Sequence, residues 1–163
     1  MKLALRIFIS FVLIYAMVML TACPSAASLQ KVQDSSARVA KYANAGVDLT
    51  RTLYESKVIT LAQKDAIAQK FVLLARGGIA FDAAVANAKA TYGTNAPQAT
   101  IQQLLATFDS QVVGQFLEIL TSLKVIGASG AYAAIIETIR AAVMVVAGVF
   151  GTKAAVTQRL AAA

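Results

Sequence analysis

The sequence predicts an all-α protein: an elongated antiparallel four-helix bundle, or two helical hairpins, behind a separate apolar N-terminal segment. Three observations predict it. Apolar and small residues recur at alternating spacings of three and four over most of the chain, the pattern of helices with one buried seam. Helix breakers are scarce, with only Pro24 and Pro97 among 163 residues, and alanine, the strongest helix former, is abundant. No stretch of useful length alternates with period two, so no sheet is expected. The chain is apolar overall, 58% hydrophobic and 14% charged, and alanine supplies much of the excess.

The first helix follows a short, small and polar tether, residues 23–28. Its seam is Leu29, Val32, Ser36, Val39, Ala43, Gly46, Thr50 and Leu53. The opposite side carries Lys31, Asp34, Arg38, Lys41 and Asp48, with Asp34 and Arg38 spaced for a helical ion pair. Ser56–Ile59 breaks the pattern. Thr60, with Gln63 three residues on, matches a capping box and starts the second helix. Its seam is Ile67, Phe71, Leu74, Gly78, Phe81, Val85, Ala88 and Tyr92, and Val72, Leu73 and Ile79 widen the apolar face. Gly77-Gly78 sits mid-helix at a cost of about 1 kcal/mol per glycine. The pair reads as a kink, a close helix crossing or a break.

Gly93 to Pro97 is the clearest turn, with glycine as stop and proline as start. The third helix has the seam Ile101, Leu105, Phe108, Val112, Phe116, Ile119, Leu123 and Ile126. Gly127 to Gly130 forms the next turn, with Ser129 as expected N-cap. Residues 131–150 form the last helix, ending near Gly151. The bundle is thus expected over 29–151, and 152–163 is an Ala-rich tail that can be helical and is expected to fray. The helices measure about 30, 32, 30 and 20 residues, and their short connections make neighbours antiparallel.

Residues 141–151 form an uncharged apolar run too short to span a bilayer. Glu137 and Arg140, three apart, interrupt the apolar character upstream and can pair. Three readings apply to this helix. It is the buried member of the bundle, half of a membrane-inserting hairpin with Val112–Ile126, or a self-association face with Gly148 and Gly151 permitting close approach.

Composition excludes much chemistry. There is one cysteine and no histidine, so Ser-His-Asp and Cys-His nucleophilic schemes are excluded and a metal site is not expected. The segment from Gly127 to Ala131 nearly spells a nucleophile elbow but lacks its last glycine, a preceding strand and a base. No P-loop or dinucleotide fingerprint occurs. The carboxylates Asp48 and Glu55, and Asp109 and Glu118, could pair for acid/base work but read more simply as surface, Glu55 lying four residues after Arg51. Arg76-Gly77-Gly78 is a lone triplet, not an RNA-binding tract. Tyr42, Tyr54, Tyr92 and Tyr132 read as core rims. No catalytic, cofactor or metal residues are assigned, and no nucleic-acid partner is expected.

Residues 1–22 stand apart. Lys2 and Arg6 make a short positive start, 7–20 is an uncharged apolar run of 14 residues, and Leu20-Thr21-Ala22-Cys23 follows. The first two parts match a secretion signal peptide, too short to serve as a spanning helix. The last four residues resemble the lipobox of bacterial lipoproteins. The resemblance covers the first 24 residues or so and implies alkylation of the Cys23 thiol by diacylglycerol, cleavage between Ala22 and Cys23, and acylation of the new amine. Two or three acyl chains give stable anchoring where one does not. In that family an Asp after the cysteine favours inner-membrane retention. Here Pro24 follows, which favours the outer membrane in a host that has one.

Without Lys2 and Arg6, 13 of the 15 basic residues face 8 acidic ones, a net charge of +5 spread along the chain. The expected protein is therefore a non-enzymatic, lipid-anchored cell-envelope protein facing the periplasm. It would touch membrane lipid through acylated Cys23 and take an envelope protein or wall polymer as partner. The alternatives are a membrane-active lysis or pore-forming protein, and an enzyme without a recognisable site.

Overall fold

The computed structural model describes residues 26–93 and 95–163, and among them every regular element is helical. α1 is Ala26–Glu55 and α2 is Leu61–Tyr92. α3 is a continuous run built from Gln98–Phe108, a π-helical turn Asp109–Val113, and Gly114–Val125. α4 is Ala133–Val149 and α5 is Lys153–Ala162. With 30 and 32 residues, α1 and α2 are each roughly 45 Å long.

The seams of the first two helices face inward as the spacing predicts. Leu29, Val32, Ser36, Val39, Ala43 and Thr50 are buried on α1, and Ile67, Phe71, Leu74, Phe81, Val85 and Ala88 on α2. Only Tyr92, in the last turn of α2, is exposed. The capping box forms in full: the Gln63 amide N–H donates to Thr60 Oγ1 (3.3 Å) and the Thr60 N–H to Gln63 Oε1 (2.9 Å). Gly93 ends α2 with φ of 60°, and Pro97 precedes α3.

The glycine pair neither kinks nor breaks α2, which runs unbroken through it. It permits two close crossings. A Cβ on Gly78 would lie 3.2 Å from the Ala40 backbone nitrogen of α1, and one on Gly77 would lie 2.1 Å from the Gln111 carbonyl oxygen of α3. Each missing side chain lets a different neighbour approach the α2 backbone.

α3 keeps most of the predicted seam, with Ile101, Phe108, Val112, Phe116, Ile119 and Leu123 buried and Leu105 and Ile126 only half-buried. Its Gly114 N–H donates to the Asp109 carbonyl, five residues back, so the π turn inserts one residue into the register. Leu104 rather than Leu105 is buried before it, and Val112 and Val113 are both buried within it. After it Phe116, Ile119 and Leu123 return to the core.

The expected cap at Ser129 does not form. α4 starts at Ala133 with Tyr132 in the N-cap position and no side-chain cap. Tyr132 is fully buried and stacks on Phe71 with ring centroids 5.6 Å apart. That burial sets where the helix begins, at the expense of the cap. Ile136, Ile139, Val143 and Val146 of α4 are buried, and the helix packs on α1. The Ala-rich tail takes the helical form the sequence allowed, as α5, and packs Val156 and Leu160 in the core where fraying was expected. Arg159 pairs with Asp109 of α3, and the Thr157 hydroxyl lies 3.8 Å from the Met144 sulfur of α4. α5 therefore bridges α3 and α4, which explains its order despite its composition.

α1 packs on α2 and α4, and α2 also packs on α3. A single apolar cluster runs through all five elements. Phe81 joins the layers, with its ring centroid 5.4 Å from Phe108 and 6.4 Å from Phe150.

Candidate functional site

The assigned site residues, Ala22 and Cys23, lie outside the described residues. The fold bears on them through α1, which starts at Ala26, three residues after Cys23. The sequence reading places 26–28 in the tether, but alanine's helix propensity carries α1 back through them. Three residues reach at most about 11 Å, so a lipid on Cys23 would hold this end of the bundle against the membrane surface. The same end is clasped by side chains: Lys89 Nζ of α2 donates to Gln30 Oε1 (2.6 Å), and Gln30 Nε2 donates to Asp34 Oδ1 (2.9 Å). Asp34 is thus engaged by Gln30.

The carboxylates considered for acid/base work are dispersed, and three of the four lie beside a cation. Asp48 faces Arg51 at 3.9 Å, Glu118 accepts from Lys70 at 2.9 Å, and Asp109 pairs with Arg159. Arg51 reaches Asp48 rather than Glu55, while Glu137 and Arg140 face each other at 3.8 Å as their spacing predicts. Among the described residues, no three of His, Cys, Asp and Glu gather as a metal-binding group.

The interior holds two polar contacts. Ser36 Oγ lies 3.1 Å from Asp82 Oδ1 and also donates to the Gln33 carbonyl (2.9 Å). Deeper, Thr50 Oγ1 is 2.6 Å from the Gly46 carbonyl and 2.8 Å from the Tyr132 hydroxyl. Burial raises the Tyr132 phenol above its ordinary value, and the Thr50 hydrogen bond pulls the other way. The pair joins α1 to the start of α4 without a base to activate either hydroxyl. The sequence reading placed Tyr132 at a core rim. Its position two residues after Gly130, in a turn, concealed that it fills the centre.

A cleft of about 340 Å³ opens between α2 and α3, lined by Asn87, Thr91, Tyr92, Thr100, Gln103 and Thr107 among others. Its polar groups are amides and hydroxyls, so it offers hydrogen bonds. Among the described residues one helix, α2, is long and apolar enough to cross a membrane by length and composition, and 44% of its most apolar stretch is buried. The sequence reading looked instead to residues 131–150, whose helix spends its apolar face on α1.

Comparison of the chain with protein-family models, curated proteins and solved structures finds no match.

Proposed function

We propose that this chain is the precursor of a bacterial lipoprotein, cut before Cys23 and held in the cell envelope by acyl chains on that residue. The observation that carries the reading is Leu20-Thr21-Ala22-Cys23 at the end of an uncharged 14-residue run that follows Lys2 and Arg6. The start of α1 three residues later supports it, since a lipid there stands the bundle directly on the membrane. The mature part is a four-helix bundle in which α5 sits between α3 and α4. Supporting this over two separate hairpins, Phe81 contacts both Phe108 and Phe150.

The role is structural or interactive. Its support is the scatter of the carboxylates, with Asp48, Asp109 and Glu118 each beside a cation, and the lack of a base near Thr50 or Tyr132. The protein faces the periplasm, on the outer membrane where the host has one because Pro24 rather than Asp follows Cys23. Its partner is an envelope protein or a wall polymer. Cys23→Ser should abolish labelling with radioactive palmitate and leave the precursor uncut. Normal labelling and processing of that variant would overturn the reading.

The apolar length of α2 favours one second reading, a membrane-active protein whose bundle opens on lipid. Dye release from liposomes by the full chain at low protein-to-lipid ratio tests it, and retention of the dye excludes it.

A further inference from the structure

Residues 90–108 carry no charge, the longest such run in the sequence after residue 30. The next longest, 125–136 and 141–152, are mostly apolar, with three amide or hydroxyl side chains between them. Residues 90–108 hold nine. An exposed helix face of this protein ordinarily carries charge, as α1 does with Lys31, Arg38 and Lys41. Around the α2–α3 turn the exposed groups are instead neutral hydrogen-bonding ones. The two charges of the neighbouring part of α2 point elsewhere: Asp82 meets Ser36 and Lys89 meets Gln30, both on α1.

These neutral groups line the 340 Å³ cleft between α2 and α3, a volume within the range of small-molecule sites. Its apolar lining is Ala84, Ala88 and Leu104, and alanine side chains on α2 are too short to fill the gap. Farther along, the same two helices close up, where Gly77 meets Gln111 and Lys70 meets Glu118. The Thr91 hydroxyl donates to Asn87 Oδ1 (3.5 Å), which leaves the Asn87 Nδ2 protons to be donated. The Thr107 hydroxyl donates to the Gln103 carbonyl (3.0 Å), which leaves its oxygen as an acceptor. The Gln103 side-chain amide and the Thr100 and Tyr92 hydroxyls bond to no other described residue. Tyr92, 41% exposed, adds a flat ring to the lining. No cation or anion lines the cleft.

We propose that this cleft binds a short neutral saccharide. A charged ligand would find no counter-charge in the lining. Sugar hydroxyls both donate and accept, and amides and hydroxyls match them in both senses. The apolar C–H face of a sugar ring suits the Tyr92 ring, which keeps its own hydroxyl at the edge for a hydrogen bond. A peptide would bring amides too, but its side chains need apolar pockets that two alanines and a leucine do not supply. The inference concerns the folded bundle and rests neither on Cys23 nor on the envelope partner proposed above. The Lys89–Gln30 contact puts the cleft at the end of the molecule where α1 begins. With lipid on Cys23, the cleft opens close to the headgroups, where a glycolipid and a glycan strand present the same neutral ring.

Saturation-transfer NMR on the full chain, in a zwitterionic detergent without a sugar headgroup, tests this directly. Transfer to the ring protons of maltotriose or of the N-acetylglucosamine trimer is expected, with little to trigalacturonic acid, which carries a carboxylate on every ring. Asn87→Ala and Gln103→Ala, both at exposed positions, should each weaken binding about fivefold. Ile79→Ala, outside the cleft, should leave it unchanged. Glucosyl diacylglycerol added to the micelles separates the two sources: competition with the free sugar points to a glycolipid and its absence to a glycan, and either result supports a saccharide site. No transfer to either neutral sugar at millimolar concentration overturns the proposal. So does equal transfer to trigalacturonic acid, unchanged affinity in both cleft variants, or displacement of the sugar by an uncharged peptide such as acetyl-tetra-alanine amide.

Discussion

Neighbouring glycines of α2 serve two contacts built on different principles. Gly78 faces α1, where two regular helices meet and a Cβ would find the Ala40 and Ser36 backbone at 3.2 to 3.3 Å. Gly77 faces the π turn of α3, where the Gln111 carbonyl would lie only 2.1 Å from a Cβ. The first contact has a few tenths of an ångström to give. The second does not, because the obstacle is backbone and the turn carrying it is held by the bond from Gly114 to Asp109. Two adjacent residues of one type thus differ in tolerance because one neighbour is a regular helix and the other is a register shift.

The largest expected effect lies where the α1–α2 contact meets α4. Phe71 is fully buried, stacks on Tyr132 and fills the space beside Gly46, where a Cβ would lie 2.5 Å from its ring. Phe71→Ala should destabilise the fold by about 4 kcal/mol in urea unfolding. Next comes the comparison itself. Gly77→Ala should cost about 3 kcal/mol through overpacking. Gly78→Ala should stay within about 1 kcal/mol of the parent, since a helix-propensity gain of similar size offsets the tighter contact. Equal losses at the two positions would mean that the π turn yields as readily as α1.

Smaller effects sharpen the link to α4. Tyr132→Phe removes the hydrogen bond to Thr50 and should cost about 1 kcal/mol near neutral pH. The folded-state phenol titrates above its ordinary value of 10.0. Its contribution is therefore fully present below that pH and is lost as pH rises through the folded-state value. The parent should lose stability more steeply than Tyr132→Phe in alkaline unfolding. Parallel curves would remove Tyr132 as the cause. The smallest effect has the opposite sign: Lys57 has φ of 59°, where a side chain is strained, so Lys57→Gly should stabilise by about 1 kcal/mol, measured as a raised urea midpoint with unchanged slope.

The helical class, the seams of α1 and α2, the capping box at Thr60 and the turn from Gly93 to Pro97 were legible in the residues. Each depends on contacts within a few positions or on a repeat that persists for thirty. Leu29, Val32, Val39 and Ala43 keep one period, and one period suffices to place them inside. Leu104, Val113, Tyr132 and α5 were not legible in this way. The π turn brings Val113 to the buried side of α3 next to Val112, one residue more than the seam calls for. Tyr132 lies outside any helix, so no periodicity bears on it. Val156 and Leu160 are too few to mark a face until the gap between α3 and α4 exists to receive them. Of the candidate site, the positions at Ala22 and Cys23 rest on sequence alone, and the fold contributes the nearness of α1 to them.

By itself, then, the sequence determined the helical class and which residues line the first two seams, because these follow from local propensity and periodicity, and the lipid attachment proposed at Cys23 rests on a contiguous motif alone. The tertiary structure alone decided which neighbour each glycine admits, where the π turn of α3 falls, and that Tyr132, Val156 and Leu160 belong to the core. Those outcomes depend on shapes contributed by segments 30 to 80 residues apart, as between Thr50 and Tyr132 or Gly77 and Gln111, and no local pattern in the chain encodes such a fit.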